Sequence, residues 1–587
     1  MVCWRRCARL MVALAALLGA LAGCGLPGQP QSADLASDQT LKMIWSLGVS
    51  GTMFALDPAQ VDNTGSAQFT SLLYDSLVTL DRNEQVEPWG ASAWKVSPDG
   101  LTYTFTLRPN QHFSDGAPVT ASDYAWSIDR AAHVCGAGLR TFFDLTAIKG
   151  AAQLTASDCD DPSSRASLVG NSIFADNSAR TLTIELAQPA GYFLAALATS
   201  ASMALERTVI ETQVVNDPSL GTTPSLLVAL TKGATGQGGS GMFYLADAVV
   251  SAENNPGSLT LKPNPHWWGI AAGKTPHFSE ITVSLPRPTL SSDSTFRQFQ
   301  SDLSTAFLSA LPTDQPLTPY LRQPYYHEQQ TLYGGGLLFV WRNPPFDDLN
   351  ARKAFCLAIN REQFNQQMLH GQMLPTWHIV PEGMPGYNAT LTGPDGASVA
   401  DNTALARHYW QLYLASHHNQ APPIANDYNQ PFALSYGYTS LSSYRQEAAW
   451  LADTWKKTFD ITTFLDLSEW GHGPGWESSR QIWGYGQGWP IGYVDPQALL
   501  AGYQTADMDV PQADALLQRA DALSDMSQRI PLYNEAEQLL IDNVVYCPLY
   551  QIVRHYALRP WVKGGFVEDA RGVFPNDTWV SGYIAKH

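Results

Sequence analysis

The chain has 587 residues, a formal charge of −18, 45% hydrophobic residues and 15% charged residues. That length exceeds what one hydrophobic core organises, so two to four domains are expected, and the apolar content excludes a disordered chain. The acidic balance, with no basic patch interleaved with aromatics, argues against nucleic acid and anionic lipid headgroups as partners.

Arg5, Arg6 and Arg9 precede a short apolar run, Leu10–Ala20, and then Leu21-Ala22-Gly23-Cys24. The run is too short to stay as a transmembrane span, and its flanks are those of an export signal. Leu-Ala-Gly-Cys matches the bacterial lipobox. Residues 1–23 are therefore read as a lipoprotein signal peptide, Cys24 as the lipidated new N-terminus, and 24–39 as a flexible tether rich in Gly, Pro, Gln and Ser. Removing the signal takes the formal charge to −21, because it carries three arginines and no acid. The expected location is the outer face of the cytoplasmic membrane, attached by the lipid alone.

Beyond Cys24 four cysteines remain. Cys135 and Cys159 flank a Gly- and Asp-containing insertion and are candidates to pair. Cys356, in the apolar stretch Ala354–Ile359, reads as a small buried hydrophobe. The lack of C-x-x-C argues against zinc ribbons and thioredoxin-like chemistry.

Strands are expected at Thr40–Leu47 and Ser76–Leu80 with a helix, Ala67–Tyr74, between them. Pro98-Asp99-Gly100 is a turn, and Leu101, Tyr103, Phe105 and Leu107 alternate as a half-buried strand. Asp115-Gly116 turns again, and Thr120 is placed as N-cap of a helix from Ala121. A strand pair over Ser172–Leu186 and a helix over Pro189–Ala198 follow. Gly236-x-Gly238-x-x-Gly241 has dinucleotide-loop spacing, but hairpin signals rather than a helix come after it, so nucleotide binding is rejected. Leu337–Asn343 reads as a buried strand, and Asp347 or Asp348 caps the next helix, with Arg352 structural. Ser435–Tyr438 is a strand, Tyr444–Phe459 a helix, Ala520–Ile541 a single helix and Val544–Tyr550 a closing strand. His417-His418 and the cluster Asp158, Asp160 and Asp161 read as solvated loops, because neither has metal-site spacing. No zincin, nucleophile-elbow or phosphate-loop motif is present, no cofactor or metal is expected, and catalysis is rejected.

The stretch Gly486–Pro496 stands out. It combines Gly486, Gly488, Pro490, Gly492 and Pro496 with Trp489, Tyr493 and one acid, Asp495. Aromatics on a flexible backbone suit a ligand wall, and equally a loop that covers a core. This stretch resembles the Gly-Trp-x-x-Asp-Tyr-x-Asp-Pro signature of family 5 extracellular solute-binding proteins, the oligopeptide- and dipeptide-binding components of ABC importers. Further segments resemble that family in order: Leu56-Asp57-Pro58, Leu107-Arg108 through Phe113-x-Asp115-Gly116-x-Pro118-Val119-Thr120-Ala121-x-Asp123, Asn264-Pro265-x-Trp267-Trp268, Pro345-Phe346 through Arg361, and Arg529-x-x-Leu532-Tyr533. The resemblance covers about residues 40–587.

It implies an α/β fold of the periplasmic-binding-protein type (class II, cluster C), with two lobes around a cleft plus an extra domain. Lobe I is expected from 40–80, 195–307 and 546–587, the extra domain from 81–194, and lobe II from 308–545. The implied function is non-catalytic capture of a peptide or similar small organic solute by a monomer that serves an ABC permease and its ATPase. A sensor lipoprotein of the same fold and a binder of sugars, metal chelates or amines stay open, with a surface hydrolase disfavoured. Candidate ligand contacts are Gly488, Trp489, Gly492, Tyr493, Asp495, Trp341, Arg342, Asn343 and Tyr485, with Trp483 a further possibility. In the family signature an acid three residues after the Trp pairs with a peptide's amino terminus; here that position is Gly492. Asp495 is read mainly as a turn and helix cap.

Overall fold

The computed structural model describes residues 34–46, 56–61, 63–132, 145, 147–154, 167–209, 238–250, 256–286, 292–312, 316–341, 344–418, 433–436, 442–466, 482–487, 495–502, 508 and 510–587. In chain order the strands are β1 (Thr40–Ile44), β2 (Val78–Leu80), β3 (Val86–Pro88), β4 (Ala91–Val96), β5 (Thr102–Leu107), β6 (Ile173–Asp176), β7 (Thr181–Glu185), β8 (Phe243–Val250) and β9 (Pro256–Pro263). They continue as β10 (Glu280–Ser284), β11 (Thr305–Leu308), β12 (Tyr326–Phe339), β13 (Leu374–Pro375), β14 (Ala433–Tyr436), β15 (Phe464–Asp466), β16 (Ile482–Gln487) and β17 (Cys547–Leu558). The helices used below are α1 (Thr64–Leu73), α2 (Ala121–Ala132), α3 (Leu349–Leu357), α4 (Arg361–Met368), α5 (Thr403–Ser416), α6 (Ser442–Phe459), α7 (Pro496–Ala501), α8 (Pro511–Asp521) and α9 (Met526–Asp542).

The fold is α/β, of the expected two-lobed binding-protein type. An eleven-stranded sheet runs β15-β14-β16-β12-β17-β11-β1-β10-β9-β8, with β13 beside β17. β1 lies parallel to β10 and β11, while the long strands β12 and β17 pair antiparallel and join the two halves of the sheet. One half carries a core built on Trp45, Phe69, Phe243, Phe307 and Trp579; the other carries cores around Phe355, Trp455 and Leu451, and around Leu500, Tyr533 and Tyr546. A separate antiparallel sheet, β4-β5-β7-β6, packs against α2 around Phe105, Ile128 and Leu182. In β5 the alternation holds as expected, with Tyr103, Phe105 and Leu107 buried and the threonines facing out.

The glycine-rich segment with dinucleotide spacing does lead into the β8–β9 hairpin. A side chain at Gly241 would lie 2.3 Å from the Leu72 carbonyl oxygen, so this glycine serves close packing on α1.

Several expectations are corrected. The single helix over Ala520–Ile541 is two, α8 and α9, because Asp525 accepts from Ser527 N (2.9 Å) and starts a new helix after an elbow at 522–525. The helix over Pro189–Ala198 shortens to Phe193–Leu197. At the start of α2 the cap works in reverse: the Asp123 carboxylate accepts from both Thr120 N and its hydroxyl, at 2.8 and 2.7 Å. Cys356 is buried as expected, but it is a half-cystine bonded to Cys547 of β17, 191 residues away. Residues 34–39, counted with the tether, are tied to the C-terminus: Ala36 N donates to Ile584 O, and Gln39 exchanges two hydrogen bonds with Ile584. Cys24, Cys135, Cys159 and the cluster Asp158, Asp160 and Asp161 lie outside the described residues. Among the described residues no helix is long and apolar enough to cross a membrane.

Candidate ligand cleft and its anchors

β16 runs antiparallel to β12, with Gln487 opposite Gly334, Gly486 opposite Gly335 and Tyr485 opposite Gly336. The described residues resume at Asp495. Gly488, Trp489, Gly492, Tyr493, Arg342 and Asn343 lie outside the described residues, and Trp483 and Tyr485 are placed through their backbones.

Of the predicted site residues, Asp495 lies within the described residues together with its side chain. It caps α7 by accepting from Gln497 N (3.0 Å), with Pro496 in the first helical position, where a missing N–H costs nothing. Its side chain points inward, at 1% exposure. Arg529 reaches it with both terminal nitrogens, Nη1 to Oδ2 at 2.7 Å and Nη2 to Oδ1 at 2.9 Å, and the Tyr533 hydroxyl donates to Oδ1 at 3.1 Å. Such a forked pair fixes direction as well as charge. Both oxygens are engaged within the protein, in keeping with the reading of Asp495 as a turn and helix cap. Arg529 and Tyr533 face it because they sit four residues apart on α9. Beside them, burial pushes the Asp521 carboxyl up to about 7, with Arg529 opposing the shift.

Trp341, just past β12, is half-buried against both cores of its half of the sheet. The Arg352 guanidinium lies 3.6 Å over its ring and donates to the carbonyls of Phe346 (2.8 Å), Asp347 and Asn543. The structural reading of Arg352 therefore holds, and Trp341 packs with it. Asp348 is the residue that caps α3.

The sequence reading missed three features. The first is Gly334-Gly335-Gly336 on β12: a side chain at Gly335 would enter the Tyr550 ring at 2.3 Å, and one at Gly336 would meet the Cys547 oxygen at 2.4 Å. Three consecutive glycines inside an apolar run were the available signal. The second is a break in the β12–β17 ladder. Residues 326–330 pair with 553–557, and pairing resumes at Gly334 with Gln551, leaving 331–333 out of register. Gln551 bridges the break, donating to the oxygens of Thr331 (2.6 Å) and Glu382 (2.8 Å) and accepting from Glu382 N (3.1 Å). The third is Arg529 as partner of Asp495; nothing local in the sequence marks a pairing across 34 residues.

The family described as bacterial extracellular solute-binding proteins, family 5, matches residues 85–508. The chain belongs to that family. This family 5 protein is 24% identical over 544 residues to the Escherichia coli periplasmic murein peptide-binding protein MppA, covering 91% of each chain. It is also 24% identical over 530 residues to the probable deoxycholate-binding periplasmic protein YgiS of Escherichia coli, covering 87% of this chain and 88% of that one. Among solved structures, OppA of Burkholderia pseudomallei superposes with a TM-score of 0.71 at 19% identity, over 94% of this chain and 100% of that one.

Proposed function

We propose that this family 5 protein captures a peptide, or a similarly elongated organic solute, between the two halves of its long sheet and delivers it to an ABC permease. In this reading it is held at the outer face of the cytoplasmic membrane by lipid on Cys24 and performs no chemistry on its solute. The observation that carries the reading is the geometry at β16: a strand ends beside the bare glycines of β12, and its continuation returns to a bidentate Asp495–Arg529 pair. Fixed ends with aromatic residues between them suit a wall that wraps an extended ligand. The broken ladder at 331–333 offers a pivot on which the two halves close. The division into lobe I (40–80, 195–307, 546–587), extra domain (81–194) and lobe II (308–545) is part of this reading; a buried core is centred in each, with Leu77, Val78, Ala201 and Ala204 joining the core of the extra domain and Cys547 and Leu549 that of lobe II. Candidate contacts remain Trp489, Tyr493, Gly488, Gly492, Arg342, Asn343 and Tyr485.

A non-peptide solute is the second reading, favoured by one observation: Gly492 stands where the family signature has the acid for a peptide's ammonium group. A buried ammonium without a partner costs several kcal/mol, so a peptide needs another acceptor here. Among the proteins similar to this chain, one is named for binding a murein peptide and another as a probable deoxycholate-binding protein. Native purification of residues 25–587, denaturation and mass spectrometry of the released molecule test both. A ladder of peptides is the expected result. A single non-peptide compound overturns the peptide reading and keeps the receptor; chemical turnover of the released compound by the protein overturns the receptor.

A further inference from the structure

The small four-stranded unit meets the elbow between α8 and α9 at a tight point. Gly191, in the turn before the helix Phe193–Leu197, donates its N–H to the Asp521 oxygen at 3.0 Å, at the last residue of α8. A side-chain carbon at Gly191 would lie 2.0 Å from the Leu523 oxygen and 3.2 Å from Arg529 Nε. This turn therefore seats directly on the elbow between α8 and α9, against the arginine that holds Asp495. From the other side Ala498 of α7, three residues beyond Asp495, packs on the core of the four-stranded unit. Val86 and Ala198 pack against the cores of both sides. Two contacts, through Gly191 and Ala498, thus bring the four-stranded unit against the segments that carry Arg529 and Asp495.

We infer that the turn at Gly191 is a latch that positions the Arg529–Asp495 anchor, so that the four-stranded unit sets how firmly α7 is held to α9. The inference rests on the proposed function for the bearing of that anchor on solute binding. The physical reason is steric: Arg529 follows its N-cap Asp525 by four residues, so its guanidinium moves with the elbow. An elbow pressed by a backbone turn cannot drift without breaking the Gly191 hydrogen bond. With any side chain at position 191 the turn must lift off Leu523, and Arg529 loses its backing. Gly191 is a positioning residue in this scheme and touches no solute.

Gly191→Val and Ala498→Glu break the contact from opposite sides. The probe is the solute released from the native protein, added back to ligand-stripped full chain, with hydrogen exchange read in parallel. If the latch drops the competent fraction to about a tenth, affinity falls about tenfold for both variants. Amide protection is then lost at 482–487 and 495–501, while β4–β7 stays protected. Loss of protection confined to β4–β7, or unchanged affinity with the elbow deprotected, overturns the latch. If the wild-type chain carries no solute, the proposed function fails, and exchange at 495–501 in the two variants still decides the latch.

Discussion

Two buried aspartates, one beside a core on each half of the long sheet, are held by opposite means. Asp75 is 1% exposed and receives the indole N–H of Trp89 on one oxygen and of Trp268 on the other, each at 2.7 Å. Its partners are neutral, so burial dominates and pushes its carboxyl up to about 7. Asp495 is equally buried but faces the forked guanidinium of Arg529. The first arrangement pins aromatic rings inside one core, where a static hydrogen-bonded carboxyl suffices. The second ties a loop end to a helix pair under a contact between two units, where direction and charge both matter. The same residue type thus serves packing in one region and anchoring in the other.

Removing the cation should break this comparison hardest. Arg529→Met strands a buried carboxylate and is expected to cost about 3–5 kcal/mol in urea unfolding, with loss of solute binding. Adding Asp495→Asn should recover part of that loss; a double variant as unstable as the single one would refute a role for the stranded charge. A third buried group, Arg361, sharpens the contrast, because it is a cation whose acceptors are carbonyls. It donates to Pro548 O at 2.7 Å, contacts both sulfurs of the Cys356–Cys547 disulfide and lies under Trp377. Replacing both cysteines by alanine should cost about 2–5 kcal/mol, read as the difference in midpoint against the wild type.

Asp75→Asn should cost less, about 1–3 kcal/mol, because the amide keeps one acceptor for an indole while facing the other with a donor. A loss as large as that of Arg529→Met would erase the distinction between the two sites.

The smallest effect is on pH dependence. Burial raises Asp75, Glu568 and Asp521 to about 7 and Glu537 and Glu84 to about 8. The native chain then binds more protons than the unfolded one above the ordinary carboxyl range, so stability falls as pH rises through 7 to 8. Half-buried His277, His327 and His378 and buried His555 are shifted below 6.5 and push the other way, but only below that pH. Melting temperature should therefore decline between about pH 6.5 and 8.5. Asp75→Asn should flatten that decline; a flat wild-type profile would refute the raised carboxyls.

Local patterns carried much of the fold. Alternation over residues 101–107, the Asp348 cap, the Asp495-Pro496 helix start and the hairpin after Gly241 were legible because each is decided within a few residues, by turn chemistry, capping or period. The single helix over Ala520–Ile541 failed for a related reason. An apolar period runs through the elbow, and the cap at Asp525 outweighs it. Less of the candidate site was legible. The stretch Gly486–Pro496 declared itself by composition, yet Arg529 carries no mark in sequence that it meets Asp495, and Gly191 none that it meets Leu523.

The sequence by itself determined the α/β class, the order of elements, the family and the position of the candidate wall, since these follow from local preference and from matched motifs. The tertiary structure alone decided that Cys356 bonds Cys547, that Asp495 spends both oxygens on Arg529, and that a glycine in one unit braces an arginine in another. Those contacts join residues tens to hundreds of positions apart. They are chosen by which surfaces bury together and which buried charges then need partners, and that choice exists only once the chain has folded.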